Sequence, residues 1–352
     1  MGDCAYQNGL CLRREQGRKS GFHPLRARRW GWLGALLLFW GGAAWANTHS
    51  PTATHAWLAE WVTQGDFEQE WLDALLAPLV PDPQVVRLMD SQAEAKPYYQ
   101  YRKNFINDTR IRRGRERMRL HRELLQRIQK QFDVPAEVVV ALWGVESDYG
   151  RNSGGFSVLR SLYTLAAEYP RRAAFFREEL RQFLLLCREE GWDPRTPEGS
   201  FAGALGQMQM MPGTLRKYAV DFSGDGKRDA FHNPADVLAS IASFLAGHSW
   251  KQEAVMSIPL NQEINPDLTS LYSPSLGDMR PWQAWQEKGI TLQEGDKNPE
   301  PNEPAALIRL EEQQGSRYYM VFGNFKVITQ WNRSSRFAMV VRELADALRQ
   351  TP

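Results

Sequence analysis

The sequence predicts a mainly α (α+β) protein in which long stretches of helical periodicity give way to one small β element. Three observations predict it. Apolar residues recur at helical spacing from Thr54 to Met89, as in Trp57, Leu58, Trp61 and then Phe67, Trp71, Leu75. The run Val138 to Val145 is apolar on every face, which makes it a buried helix. Only Ala306–Leu310 and Tyr318–Phe322, joined across Gln313-Gln314-Gly315-Ser316, have the pattern of a β-hairpin.

Taken in order, the chain opens with Arg26-Ala27-Arg28-Arg29, an apolar stretch around Leu33–Trp40 and a small-x-small exit at Ala44-Trp45-Ala46. That is the layout of a secretory signal over residues 1–46, too short and Gly-rich in its apolar part for a membrane span of ~20 residues. The sequence leaves the Sec and twin-arginine routes open. No cysteine follows the apolar stretch, so no lipid anchor is expected. Cys187 is the one cysteine beyond residue 46, and its setting in Phe183-Leu184-Leu185-Leu186 marks it as a buried apolar residue.

Pro78, Pro81 and Pro83 break the first helical region into short helices. Lys96 to Arg119 reads as a basic, irregular stretch, and Arg117 to Phe132 as one amphipathic helix. Asp133 and Pro135 then signal the start of the apolar helix. Leu159–Glu168 and Ala173–Glu190 follow as helices, the second capped by Gly191. Ser200–Pro212 is rich in Gly and Met, Asp221–Asp236 is a polar loop, and Pro234–His248 is a helix. Beyond Trp250 the pattern weakens through Pro, Gly and Asn clusters until the hairpin, and Phe337–Arg349 closes the chain as a helix. The organisation expected is a signal peptide at 1–46, an N-terminal helical domain at 47–125, a central core with the polar loop at 126–250, and the β element with C-terminal helices at 251–352.

Composition narrows the function. The whole chain carries 43 Lys/Arg against 41 Asp/Glu, but seven of the basic and two of the acidic residues lie in 1–46, leaving the remainder at net −3. Nothing in that balance suggests a nucleic-acid partner. Thirteen Trp and eleven Tyr suit a groove that stacks on sugar rings, although most aromatics simply pack a core.

Glu146 stands at the end of the apolar helix, before Ser147-Asp148-Tyr149-Gly150. A carboxylate there is costly as an ion unless paired or protonated, and burial raises a carboxyl pKa as a general acid requires. The competing view is a carboxylate that caps a loop or pairs with an arginine such as Arg151. Asp148 lies about 200° round a continued helix and cannot face the same bond. No other Asp or Glu occupies an apolar setting close in sequence, so the pattern suggests one carboxyl acting as acid and then as base. Small residues at 202, 203, 204 and 206 permit close backbone approach, to a ligand or to another helix. Ser200 and Gln209 are neutral groups suited to sugar hydroxyls and acetamides.

Glu146-Ser147-Asp148-Tyr149-Gly150, Gly203-Ala204-x-Gly206-x-x-Gln209-x-Met211-Pro212 and Asp221-Phe222-Ser223-Gly224-Asp225-Gly226 occur in this order and at similar spacing in one family. The chain resembles the bacterial lytic murein transglycosylases of the B type, glycoside hydrolase family 103, from roughly Asp66 to Leu348. The resemblance implies a lysozyme-like core with a helical domain and a small β element. It implies cleavage of the β-1,4 bond between N-acetylmuramic acid and N-acetylglucosamine, with 1,6-anhydromuramoyl ends and Glu146 as the sole acid/base. Ser200, Gln209, Tyr101 and Asn332 match groove-lining positions. Phe244, Trp331 and Phe337 stand where relatives carry tyrosine, so stacking surfaces remain without the hydroxyls. A Gly-x-Pro-Trp element expected after the Pro234–His248 helix is missing, which makes 251–304 the least secure region for carry-over.

Asp221, Ser223 and Asp225 alternate around a glycine turn as in an EF-hand, with the Lys227 carbonyl next in the series. Loop position twelve is His232, not Glu; the resemblance gives the closing carboxylate to Asp236. A structural Ca²⁺ and a metal-free polar turn are the two alternatives, and no cofactor is expected for the chemistry. The expected partner is the peptidoglycan glycan strand, with proteins of cell-wall synthesis left open, no nucleic acid, and a monomeric, periplasmic enzyme. A hydrolytic muramidase and a catalytically inactive peptidoglycan-binding scaffold are the alternatives.

Overall fold

The structure is a computed structural model and describes residues 56–91, 96–260, 271–272, 276, 279–293 and 296–350. The signal expected over 1–46 lies outside the described residues. Among the described residues no helix is long and apolar enough to cross a membrane. Two compact units emerge, one ending at Pro78 and one beginning at Leu79. In the first, α1 (Ala56–Thr63) and α2 (Gln69–Leu76) are tied by an aromatic ladder, Trp57–Trp61–Phe67–Trp71, with ring centroids 4.9, 6.1 and 5.5 Å apart.

In the second unit α3 (Pro83–Ser91), α4 (Tyr98–Lys103), α5 (Asp108–Leu120), α6 (Arg122–Phe132) and α7 (Ala136–Ser147) lead to α8 (Val158–Glu168) and α9 (Ala173–Glu190). A two-residue strand pair, β1 (Phe156–Ser157) with β2 (Glu198–Gly199), precedes α10 (Pro212–Tyr218) and α11 (Pro234–Gly247). The remainder comprises β3 (Ser257–Pro259), β4 (Arg280–Pro281), α12 (Trp282–Gln286), β5 (Pro304–Glu312), β6 (Gly315–Phe322), α13 (Gly323–Trp331) and α14 (Ser335–Arg349). The mainly α expectation holds, and the architecture is lysozyme-like.

The core forms around α7. Every residue from Val138 to Ser147 is buried, because α5, α6, α11 and α14 pack around this one helix. A helix with no polar face requires such enclosure.

Three expectations are corrected here. The basic stretch Lys96 to Arg119 is helical, as α4 and α5, with Asn107 accepting the Arg110 amide as N-cap at 3.0 Å. Its charge hid it: Gly114 is the only buried residue of α5, so apolar periodicity carries no signal. The helix read over Arg117–Phe132 is broken at His121, whose φ of −104° and ψ of 24° are non-helical. Asp133 ends α6 in the left-handed conformation (φ 57°) and does not cap α7; Pro135 alone begins that helix. Gly191 does cap α9 at φ 71°, and Cys187 is buried and unpaired in a disulfide, its thiol pushed up to about 12 by burial.

The hairpin is longer than the apolar pattern indicated. β5 and β6 pair from Ala305↔Phe322 to Glu312↔Gly315 and are the centre of a four-stranded sheet of order β3-β6-β5-β4. Trp282 and Trp285 pack with Ile258, Leu307, Met320 and Phe322 to give this sheet its own core.

Candidate functional site

Helix α7 delivers Glu146 to its C-terminal end with 1 % of its surface exposed. The chain then reverses through three consecutive left-handed residues, Asp148 (φ 51°), Tyr149 (φ 61°) and Gly150 (φ 81°). Non-glycine residues hold such angles only where the surroundings impose them. Here Ser147 Oγ accepts the Gly150 amide at 2.9 Å, and the Tyr149 hydroxyl donates to the Arg110 carbonyl at 2.9 Å. Tyr149 fills the space beside Gly144, where a Cβ would sit 2.7 Å from its ring.

The two carboxyls of this turn part company. Asp148 ion-pairs with Arg113 at 2.6 Å, Arg151 at 3.6 Å and Arg110 at 3.9 Å. Arg110 also donates to the Gly144 carbonyl at 2.6 Å. The arginine considered as a partner for Glu146 is thus engaged by its neighbour, and Asp148 serves as the hub of an ion cluster with α5. Such a fixed, neutralised carboxylate has no freedom to act on a substrate.

Tyr101 is buried on α4. Its hydroxyl is pushed well above the usual phenol range, first by burial and then by the charge of Glu146, with Arg336 opposing. It therefore remains a protonated donor, electrostatically coupled to Glu146. A six-residue helix cannot hold this position alone. The Tyr98 hydroxyl donates to one Glu343 oxygen at 2.7 Å and Arg102 pairs with the other, clamping α4 to α14. Arg336 went unnoticed in the sequence, although it adjoins Phe337; its guanidinium donates to the Lys96 carbonyl at the entrance to α4.

The segment 200–211 is a folded loop that leads into α10. Isolated bridges Gly199↔Leu205 and Leu205↔Met210 give it shape, and Ser200 Oγ accepts the Ala204 amide at 3.0 Å. Gln209 sits at φ 52°, 4 % exposed, and its Nε2 donates to the Ser153 and Gly206 carbonyls at 2.8 Å each. Because both partners are acceptors, the amide orientation is fixed, and the oxygen is the group it can offer a ligand. These bonds bring the segment against the turn that follows Glu146.

Asn332 is 1 % exposed, and neither its Oδ1 nor its Nδ2 has a hydrogen-bond partner among the described residues. An unsatisfied buried amide costs roughly 1–3 kcal/mol, and its persistence calls for a ligand or water that satisfies it. Beside it the Trp331 ring meets Phe244 edge-on at 4.8 Å, and Phe244 also packs on Tyr218 and His248. Phe244 and Phe337 are buried; Trp331 is half-buried.

In the polar loop, carboxylate oxygens of Asp221, Asp225 and Asp236 lie within 4.8 Å of one another. That span is about twice a Ca–O distance of 2.3–2.6 Å. Asp236 is buried and its oxygens accept the amides of Phe222, Ser223 and Asp229 at 2.9, 2.9 and 3.0 Å. The Gly226 amide first, with those of Gly224 and Asp225 and the Ser223 hydroxyl, holds the Asp221 carboxyl below its usual range. Arg228 pairs with Glu189 and Glu190 instead of these acids. Three converging carboxylate groups, all hard-oxygen donors, fit calcium. His232 has its side chain 88 % exposed and adds nothing to the cluster.

A deeply buried acid at a helix end, a buried tyrosine hydroxyl beside it and a cluster of buried amides and aromatics, set in a lysozyme-like frame, suit an enzyme that cleaves glycans. The family model described as the Transglycosylase SLT domain matches residues 52–346. Membrane-bound lytic murein transglycosylase B of Escherichia coli (strain K12) is 34% identical over 297 residues, 82% of this chain and 80% of the relative. Escherichia coli lytic transglycosylase Slt35 in complex with calcium has a TM-score of 0.74 at 32% identity, covering 83% of this chain and 91% of that one. SltB3 from Pseudomonas aeruginosa in complex with NAG-anhNAM-pentapeptide has a TM-score of 0.73 at 34% identity, covering 84% and 78%. The chain belongs to the lytic murein transglycosylase family; it is a peptidoglycan-cleaving enzyme of the lyase type.

Proposed function

We propose that this enzyme cleaves the β-1,4 bond between N-acetylmuramic acid and N-acetylglucosamine and leaves a 1,6-anhydromuramoyl end, with Glu146 as both acid and base. The observation that carries the proposal is the contrast between Glu146, buried at a helix end, and Asp148, tied to three arginines. A two-carboxylate mechanism needs a second carboxyl able to act on the bond, about 5–9.5 Å away. The only other acid of this turn is already engaged.

In the first step the Glu146 carboxyl gives its proton to the glycosidic oxygen as the C1–O bond breaks. The muramoyl acetamide oxygen bonds to C1 and carries the positive charge as an oxazolinium ring. In the second step the muramoyl 6-hydroxyl oxygen attacks C1, the acetamide bond breaks, and the hydroxyl proton returns to Glu146. No water is consumed. The Tyr101 hydroxyl, Ser200, the Gln209 oxygen and the Asn332 amide bind and orient the sugars, while Trp331, Phe244 and Phe337 shape the apolar wall. The anhydromuramoyl ligand bound by SltB3 supports this product class.

Asp221, Ser223, Asp225, the Lys227 carbonyl and Asp236 hold a structural Ca²⁺, in line with the calcium complex of Slt35. The peptidoglycan substrate and the leader-like sequence of residues 1–46 support a periplasmic location. Turnover in H₂¹⁸O tests the chemistry: the account predicts unlabelled products one water lighter than reducing muropeptides. Label at C1 would show that water attacks, making the enzyme a hydrolytic muramidase.

A further inference from the structure

Gln207 stands between the fixed residues of the Gly206-x-x-Gln209 motif and makes three hydrogen bonds of its own. Its Oε1 accepts the Trp143 indole N–H at 2.9 Å, and its Nε2 donates to the Phe231 carbonyl at 2.6 Å. One partner can only donate and the other can only accept, so the amide has a single satisfactory orientation. Its backbone N–H donates to the Ala230 carbonyl at 2.9 Å. Gly206 (φ 63°) lies so close to Ala230 that a Cβ would strike that carbonyl, and a Cβ on Gly150 would strike the Gln207 amide.

These contacts join three parts of the molecule. Trp143 is one helical turn before Glu146 on α7. Gly150 belongs to the turn that follows Glu146. Ala230 and Phe231 belong to the carboxylate loop: Asp236 accepts the Asp229 amide at 3.0 Å, and Asp229 accepts the Phe231 amide at 2.8 Å. An unbroken series of hydrogen bonds and covalent links therefore runs from Asp236 through Asp229, Phe231 and Gln207 to Trp143 and the Glu146 helix. Trp143 is held on its other sides by the edge-on Tyr149 ring at 5.7 Å and the Arg117 guanidinium at 5.9 Å, so a shift in Gln207 is passed to packed neighbours.

We propose that Gln207 is a positioning residue that transmits the conformation of the 221–236 loop to the helix carrying Glu146. The loop and the catalytic helix touch the same amide, so a change that moves Phe231 moves the acceptor of the Trp143 indole. The kinetic consequence rests on the acid/base role of Glu146; the structural coupling does not.

The test is the ¹H–¹⁵N signal of the Trp143 indole, assigned with Trp143→Phe, in the full chain. The loop is perturbed with Ca²⁺ alone and, separately, with Asp221→Asn. In the wild type both perturbations shift the Trp143 signal. In Gln207→Met, which keeps the shape but removes both side-chain bonds, the shift falls at least about fivefold. Gln207→Glu accepts from the indole but cannot donate to Phe231, and it gives the same loss in a near-isosteric side chain. Turnover by Gln207→Met falls about tenfold in kcat with KM little changed. A Trp143 signal that still follows the loop in either folded variant overturns the proposal, as does a wild-type signal that responds to neither perturbation. Failure of the signal test leaves the acid/base assignment standing, whereas loss of the kinetic effect alone would bear on Glu146.

Discussion

Two carboxyls two residues apart, Glu146 and Asp148, have different surroundings: one is buried at a helix end and the other is tied to three arginines. Glu146 was legible from sequence because an acid at the end of an all-apolar helix is costly and so marked. The role of Asp148 was not, because its partners Arg110 and Arg113 come from α5, a helix too highly charged to show a pattern. Removing one member of a buried ion cluster leaves the others uncompensated; Asp148 and Arg110 are only 17% and 12% exposed in their side chains. Asp148→Asn is expected to lower stability by about 2 kcal/mol, below the roughly 3–5 kcal/mol of a fully buried pair because Arg151 and Arg113 reach solvent. Urea unfolding would check the loss. The released sugar ends should stay the same in kind, since Asp148 takes no part in the bond change. Asn332 shows the limit in the other direction: its unsatisfied amide is visible only once burial is known.

At the scale of elements, α5 and α7 cross with Tyr149 folded back between them. Gly114 and Gly144 leave the room it occupies, and a Cβ at Gly144 would lie 2.7 Å from the ring. Alanine normally improves a helix interior over glycine by about 1 kcal/mol. Here overpacking against a buried ring costs typically 1–3 kcal/mol and wins. Gly144→Ala should therefore destabilise by about 1–2 kcal/mol in denaturant titration, and a gain in stability would show that Tyr149 moves aside freely. Sequence patterns located α7, α8, α9 and α11 to within a residue or three because each buries a stripe of apolar side chains. They failed at the 121 break, where a one-residue change of backbone leaves the amphipathic period nearly intact. The hairpin was found, but its neighbours β3 and β4 are three and two residues long, below the length at which alternation can be read.

For the whole molecule the carboxylate loop is where the proposed calcium would act on stability. The alternation of Asp221, Ser223 and Asp225 is legible in the sequence, whereas the burial of Asp236 and its three amide bonds emerge only from the fold. Binding to the folded state alone stabilises by about 2.7 kcal/mol at a hundredfold excess over Kd. Ca²⁺ should therefore raise the melting temperature by several degrees, Mg²⁺ should do so much less, and Asp236→Asn should abolish the effect. A melting curve indifferent to Ca²⁺ would make the loop a metal-free polar turn. In the proposed mechanism one carboxyl, Glu146, performs the cleavage without water as nucleophile. The measurement that bears on it most directly is mass spectrometry of the muropeptides released from purified peptidoglycan by the wild type and by Glu146→Gln. Anhydromuramoyl ends from the wild type, and none from the variant with its melting temperature preserved, are the predicted result. Anhydromuramoyl ends still produced by Glu146→Gln at the wild-type rate would contradict it.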